Sequence, residues 1–193
     1  MDNPYGLVLM GGRSTRMGED KSQLDYHGQP QRDYLTALLA EYCPAVFWSV
    51  NAEQAVELTD YQSRLIVDSQ PEAGPLGGIL SAMAAHPDRA WLVVACDLPL
   101  LTRQTLTALL AGRDDSRPAT AFWDADHRGP EPLVSLWEPM ALPLLYDFFG
   151  TGQRSPRRFL AQHAGPLLTA PDVRELTNVN DPGTLAGVMH RLT

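Results

Sequence analysis

Six short apolar runs punctuate the chain, at Gly6–Met10, Val46–Val50, Leu65–Val67, Trp91–Ala95, Ala119–Trp123 and Leu133–Trp137. Between several of them apolar residues recur with a helical period. Leu35, Leu38, Leu39 and Tyr42 fall at i, i+3, i+4 and i+7, as do Leu76, Ile79, Leu80 and Met83. Leu106, Leu109 and Leu110 continue the theme, with Thr102 placed to cap a helix and Gly112 to stop it. Strand and helix alternating at this spacing predict βαβ units, and therefore a mostly parallel twisted sheet with helices on both faces. We find no internal repeat, low-complexity stretch or domain boundary, so residues 1–193 read as a single domain.

Open sheets of this kind bind ligands beyond the carboxyl ends of their strands. Polar motifs sit at those ends here: Gly11 after the first run, Asn51 after the second, Asp68 after the third and Asp97 after the fourth. The first of them carries the most chemistry. Gly11-Gly12-Arg13-Ser14-Thr15-Arg16-Met17-Gly18-Glu19-Asp20-Lys21 joins paired glycines to two well-placed cations, Arg16 and Lys21. Adjacent glycines let the backbone turn sharply and aim successive N–H groups at one anion, while the cations neutralise its charge. The loop is neither a Walker A sequence nor a dinucleotide fingerprint, because its glycine spacing fits neither.

Leu9-Met10-Gly11-Gly12-x-Ser14-x-Arg16-Met17-Gly18-x-Asp20-Lys21 resembles the signature loop of the nucleotidyltransferases that activate sugar phosphates, terpenoid precursors and molybdopterin. Within that superfamily the chain is most similar to molybdenum cofactor guanylyltransferases. Gly74-Pro75-Leu76-Gly77-Gly78, Ala95-Cys96-Asp97-Leu98-Pro99 and Asn178-Val179-Asn180-Asp181-Pro182 follow in the family's order. The resemblance implies a Rossmann-like three-layer α/β domain that moves GMP from GTP to the phosphate of a molybdopterin-type acceptor, with Mg²⁺ and release of pyrophosphate. It implies Arg16, Lys21 and Asp97 as catalytic residues, and Leu9, Met10, Gly11, Gly12, Lys21, Asn51, Asp68, Gly74, Pro75, Leu76 and Asp97 around the nucleotide. Asp97 and Asn180 would hold the metal.

The residues themselves leave alternatives open. Asp97 ends a continuous apolar strand and is read either as a magnesium ligand or as a turn aspartate before Leu98-Pro99. Asp181 before Pro182 is a standard helix start for 185–191. Asn51 and Asp68 are candidates for ribose and base, or an ordinary strand-end Asn and turn Asp. The small residues of 74–78 would let a flat base approach the backbone. Arg154, Arg157 and Arg158, around the helix start Ser155-Pro156, are candidates for the acceptor phosphate, and a solvated charged face explains them equally well. Glu131, ahead of the strand at Leu133, is a candidate because Glu131-Pro132-Leu133 resembles a family segment that faces the acceptor. Asp124–Pro130 reads as an exposed hairpin or lid.

Composition narrows the rest. A net charge of -8 speaks against a broad nucleic-acid surface, though a few concentrated cations still serve a nucleotide. No run is long enough to span a membrane and no secretory leader is recognisable, so cytoplasm is the expected location. Cys43 and Cys96 make neither a disulfide framework nor a zinc site. Docking to molybdoenzymes or their chaperones is a further expectation. Two rival functions remain: a cytidylyltransferase acting on molybdopterin or another phosphate, and a non-catalytic nucleotide- or partner-binding protein of the same fold.

Overall fold

The computed structural model describes residues 2–10, 21–181, 183–184 and 187–188. Six strands form one sheet: β1 (Tyr5–Leu9), β2 (Val46–Val50), β3 (Leu65–Val67), β4 (Trp91–Ala95), β5 (Ala119–Trp123) and β6 (Pro130–Trp137). Their spatial order is β3-β2-β1-β4-β6-β5, and every pairing among β3, β2, β1 and β4 is parallel. β6 runs antiparallel to both β4 and β5, so β5 again points the same way as β4. The chain order reverses at β1, between β2 and β4, where such sheets open a crevice.

Among the described residues six α-helices are delimited beside the sheet: α1 (Gln31–Ala40), α2 (Ala52–Glu57), α3 (Pro75–Ala85), α4 (Arg103–Ala111), α5 (Ala141–Gly150) and α6 (Pro156–His163). Strand alternation sorts the core into two layers. Val8, Trp48, Val50, Leu92 and Val94 pack on one face with Leu35, Leu38 and Leu39 of α1 and Leu106 and Leu109 of α4. Leu7, Leu9, Trp91, Val93 and Ala95 pack on the other with Leu76, Ile79, Leu80 and Met83 of α3, Leu145 and Phe148 of α5, and Phe159 and Leu160 of α6. The predicted apolar stripes are therefore core stripes. The predicted ends of α4 also hold: Thr102 Oγ1 accepts from Gln104 N, and Gly112 closes the last turn.

Three features differ from the sequence reading. β6 begins at Pro130, so Glu131 lies within the strand rather than ahead of it. The prolines at 130 and 132 disguise this stretch, and they are tolerated because the β4–β6 ladder extends only to Val134. The short helix α2 buries no residue and so carries no apolar stripe; Asn51 and Gln54 form its reciprocal capping box. Within the hairpin that joins β5 to β6, Asp124 is buried although residues 125–128 are exposed.

Candidate active site

The carboxyl ends of the parallel strands bring the polar motifs together. Asp97 follows β4, and its carbonyl accepts from Val179 N at 2.7 Å, which docks the Asn178–Asn180 segment against it. Lys21 Nζ donates to Asn180 Oδ1 at 2.6 Å. Three residues far apart in sequence thus meet at the end of the fourth strand. Asp97 Oδ1 is buried and finds no hydrogen-bond partner among the described residues. Burial holds the Asp97 carboxyl above the usual carboxylate range, and the Lys21 charge pulls it back. A buried carboxylate oxygen with nothing to accept from is costly unless a cation completes it. The donor set is all oxygen, one carboxylate plus the Asn180 amide oxygen, which suits magnesium and its retained waters. The residues fit a divalent ion.

The loop behind Asp97 is held from several sides. His27 Nε2 donates to Pro99 O at 2.9 Å, Gln31 Nε2 to Leu98 O at 3.3 Å, and the Tyr34 hydroxyl to Leu101 O at 2.9 Å. Glu175 takes both the backbone N–H and the hydroxyl of Thr102, each at 2.8 Å. Each of these contacts joins residues more than 60 positions apart, and no sequence spacing announces them. Their effect is to fix the backbone that carries Asp97. Tyr26, buried beside this loop, has its phenol pushed up to about 12 by burial and by the negative charge of Asp97.

The β3 side holds the remaining nucleotide candidates. Gly74 precedes α3 with φ 56° and ψ -144°, a conformation essentially reserved for glycine, and a Cβ there would meet open space. Pro75 occupies the first helical turn. Gly77 and Gly78 do something different from the predicted base approach: they let α3 pack against the sheet. A Cβ on Gly77 would lie 2.8 Å from Asp68 Oδ1 and would collide with the Gln70 carbonyl; one on Gly78 would strike Ser49 Oγ. Asp68 Oδ1 accepts from Gln70 N at 2.7 Å. Its carboxyl is raised by burial, against the Gln70 N–H and the Ser81 hydroxyl.

Other predicted residues are placed less simply. The side chains of Leu9, Met10 and Leu76 are buried in the core, so only their backbones can face a ligand. Asn51 Oδ1 is committed to Gln54 N at 2.8 Å as a helix cap. Gly11, Gly12 and Arg16 lie outside the described residues, as does most of 185–191. Asp181 behaves as a helix start, accepting from Gly183 N, Thr184 N and the Thr184 hydroxyl.

The acceptor candidates separate into two groups. Glu131, only 3% exposed, accepts from Leu133 N at 2.9 Å. Its pKa is pushed up to about 7, first by burial and further by the Asp97 and Asp124 charges, while Leu133 N–H and Arg157 oppose the rise. Arg157 donates to Asp124 Oδ2. Burial works against the Asp124 carboxylate, but the Arg128 N–H and Arg157 outweigh it and hold it below its usual range. Arg154 is not part of this group: its guanidinium donates to the carbonyls of Phe149 and Gln153, and lies over the Phe149 ring. Arg158 is exposed, its backbone N–H capped by Ser155. Of the predicted arginines, Arg157 is the one whose guanidinium is bonded to this group. Asp124 was missed, although it carries the same signal as Asp97: an aspartate directly after an apolar strand.

Comparison with known proteins identifies the family and the fold. Residues 6–167 match the family model described as the MobA-like NTP transferase domain. A molybdenum cofactor guanylyltransferase from Ectopseudomonas mendocina is 32% identical over 194 residues, covering 93% of this chain and 89% of that protein. A molybdenum cofactor biosynthesis bifunctional protein from Synechocystis is 35% identical over 178 residues; the match covers 92% of this chain and about half, 51%, of that longer protein. Molybdopterin-guanine dinucleotide biosynthesis protein A from Archaeoglobus fulgidus superposes with a TM-score of 0.75 at 22% identity, over 97% of both chains, a likeness of fold. The chain therefore belongs to the MobA-like NTP transferase domain family of nucleotidyltransferases.

Proposed function

We propose that the protein transfers the guanylyl group of GTP to the phosphate of a molybdopterin-type acceptor, with release of pyrophosphate. The observation that carries this reading is the meeting at one strand end of Lys21, Asn180 and an Asp97 carboxylate oxygen that has no partner among the described residues. The guanylyltransferase named among its relatives supports the choice of substrates.

In the reaction an acceptor phosphate oxygen attacks the α-phosphorus of GTP, and the bond from that phosphorus to the α–β bridging oxygen breaks. The acceptor phosphate is largely ionised near neutral pH, so no general base is required. What the site must supply is alignment and charge stabilisation. Lys21 meets the charge that builds on the leaving pyrophosphate. Asp97 and Asn180 would hold the magnesium ion, which supplies charge neutralisation to the triphosphate. The His27, Gln31, Tyr34 and Glu175 contacts keep Asp97 in position before substrate arrives. On the β3 side, Asp68 offers a carboxylate to the N1–H and N2–H donors of guanine, and Gly74 leaves room beside them. Cys43 and Cys96 form no disulfide, in keeping with a reaction in the cytoplasm. The product would then pass to a molybdoenzyme or its chaperone.

Calorimetric binding of GTP, CTP, ATP and UTP, each with Mg²⁺, tests the assignment. GTP should bind best, and at about 100 times its Kd should stabilise the fold by roughly 2.7 kcal/mol. Equal or tighter binding of CTP would overturn the guanylyl assignment in favour of a cytidylyltransferase.

A further inference from the structure

The two halves of the sheet differ in what they offer a ligand. The nucleotide candidates Asp68 and Gly74 lie towards the β3 edge, with Asp97 central. Beyond β4 towards the opposite edge stand β6 and β5, and at the carboxyl end of β5 is Trp123. Neighbouring strands lie about 4.8 Å apart, so this ring is based roughly 10 Å from the strand that carries Asp97.

Trp123 is unlike the other tryptophans. Trp48, Trp91 and Trp137 are completely buried, whereas Trp123 is 36% exposed. The β5–β6 register shifts between Ala121 and Trp123, an irregularity of the kind that re-aims a side chain. His127 stacks on the indole at 5.8 Å between centroids and 28° between planes. His127 also adopts φ 55°, a left-handed conformation that a non-glycine residue rarely takes. The turn that carries it is pinned: Asp124 N donates to Gly129 O, His127 N to Asp124 O, and Arg128 N to Asp124 Oδ1. The same Asp124 receives Arg157, whose side chain is 45% exposed and runs alongside Gly129. A part-exposed indole and an ion-paired guanidinium from α6 thus meet at one hydrogen-bonded turn.

We infer that Trp123, backed by His127, is the stacking platform for the planar ring of the acceptor, with Arg157 beside it for an anionic group. The chemistry fits a flat, phosphate-bearing heterocycle: an indole face holds any π-system, and the guanidinium fork matches phosphate oxygens. Asp124 is a positioning residue for both. This inference rests on the proposed function, since it takes the pterin of molybdopterin as that ring.

The test compares wild type with Trp123→Ala and Trp123→Phe, measuring Kd for molybdopterin by anaerobic calorimetry, Kd for GTP, and thermal melting. Losing one ring–aromatic stack should weaken molybdopterin binding by about tenfold to a hundredfold in Trp123→Ala. GTP affinity and melting should match wild type, and Trp123→Phe should recover most of the loss. Wild-type molybdopterin affinity in Trp123→Ala, with normal guanylyl transfer by the wild type, would overturn the platform alone. A wild type that does not bind molybdopterin would overturn the functional reading and this inference with it.

Discussion

At Lys21 the ammonium donates to the amide oxygen of Asn180, and its charge acts on the nearby Asp97 carboxyl, so a localised positive charge stands at the strand end. Such a group acts where new charge develops. Lys21→Ala should lower kcat by something like 10²–10³, the scale of one preorganised electrostatic donor, while costing under about 0.5 kcal/mol of stability. Single-turnover rates at saturating GTP, with thermal melts, check both; a raised KM at unchanged kcat would mean ground-state binding only. Glu131 makes a different prediction. Its folded pKa of about 7 lies above an ordinary 4.5, so the folded state holds a proton that the unfolded chain has lost. Stability should therefore fall as pH rises from about 4.5 through about 7, by a contribution of about 3 kcal/mol. Glu131→Gln keeps an acceptor for Leu133 N and should flatten that dependence. Denaturation midpoints at pH 5 and pH 8, compared between the two proteins, give the answer.

Among the elements, α3 shows how a helix is made to serve a site. Its glycines are placed by contact: Gly77 against Asp68 and the Gln70 carbonyl, Gly78 against Ser49. Gly77→Ala forces a methyl into backbone and carboxylate together, and should cost about 1–3 kcal/mol. The same substitution should weaken GTP binding by displacing Asp68, which parallel melts and calorimetry would show. The strands were legible because buried parallel strands are continuous apolar runs with polar residues at their ends. α2 was not, because an exposed six-residue helix has no stripe to read; the Asn51–Gln54 pair was its only mark. The start of β6 was hidden by Pro130 and Pro132. At the site, Lys21, Asp97 and Asn180 were legible as motif residues, whereas the Glu175, His27 and Tyr34 contacts depend on tertiary packing alone. Arg154 and Arg157 look alike in sequence and differ only in the nearest acceptor, the end of α5 for one and Asp124 for the other.

Across the whole molecule, the sheet order separates two tasks. β3, β2 and β1 present Asp68, Gly74 and Lys21, while β6 and β5 present Glu131, Trp123 and the turn that holds Arg157, with Asp97 on β4 between them. In the proposed function, an acidic chain of net charge -8 takes two anionic substrates by setting Lys21 and Arg157 among the carboxylates of the crevice. In the function we propose, this crevice joins a guanylyl group to a molybdopterin phosphate through Asp97 and Lys21. The most direct measurement is product analysis after incubating protein, Mg²⁺ and molybdopterin with GTP or CTP, using wild type and Asp97→Asn. With GTP the wild type should yield one pyrophosphate per guanine dinucleotide formed. Asp97→Asn should stay folded and lose most of that turnover, because an amide lacks the charge that retains the cation. Dinucleotide formation from CTP instead of GTP, or near wild-type turnover by Asp97→Asn at low Mg²⁺, would contradict the account.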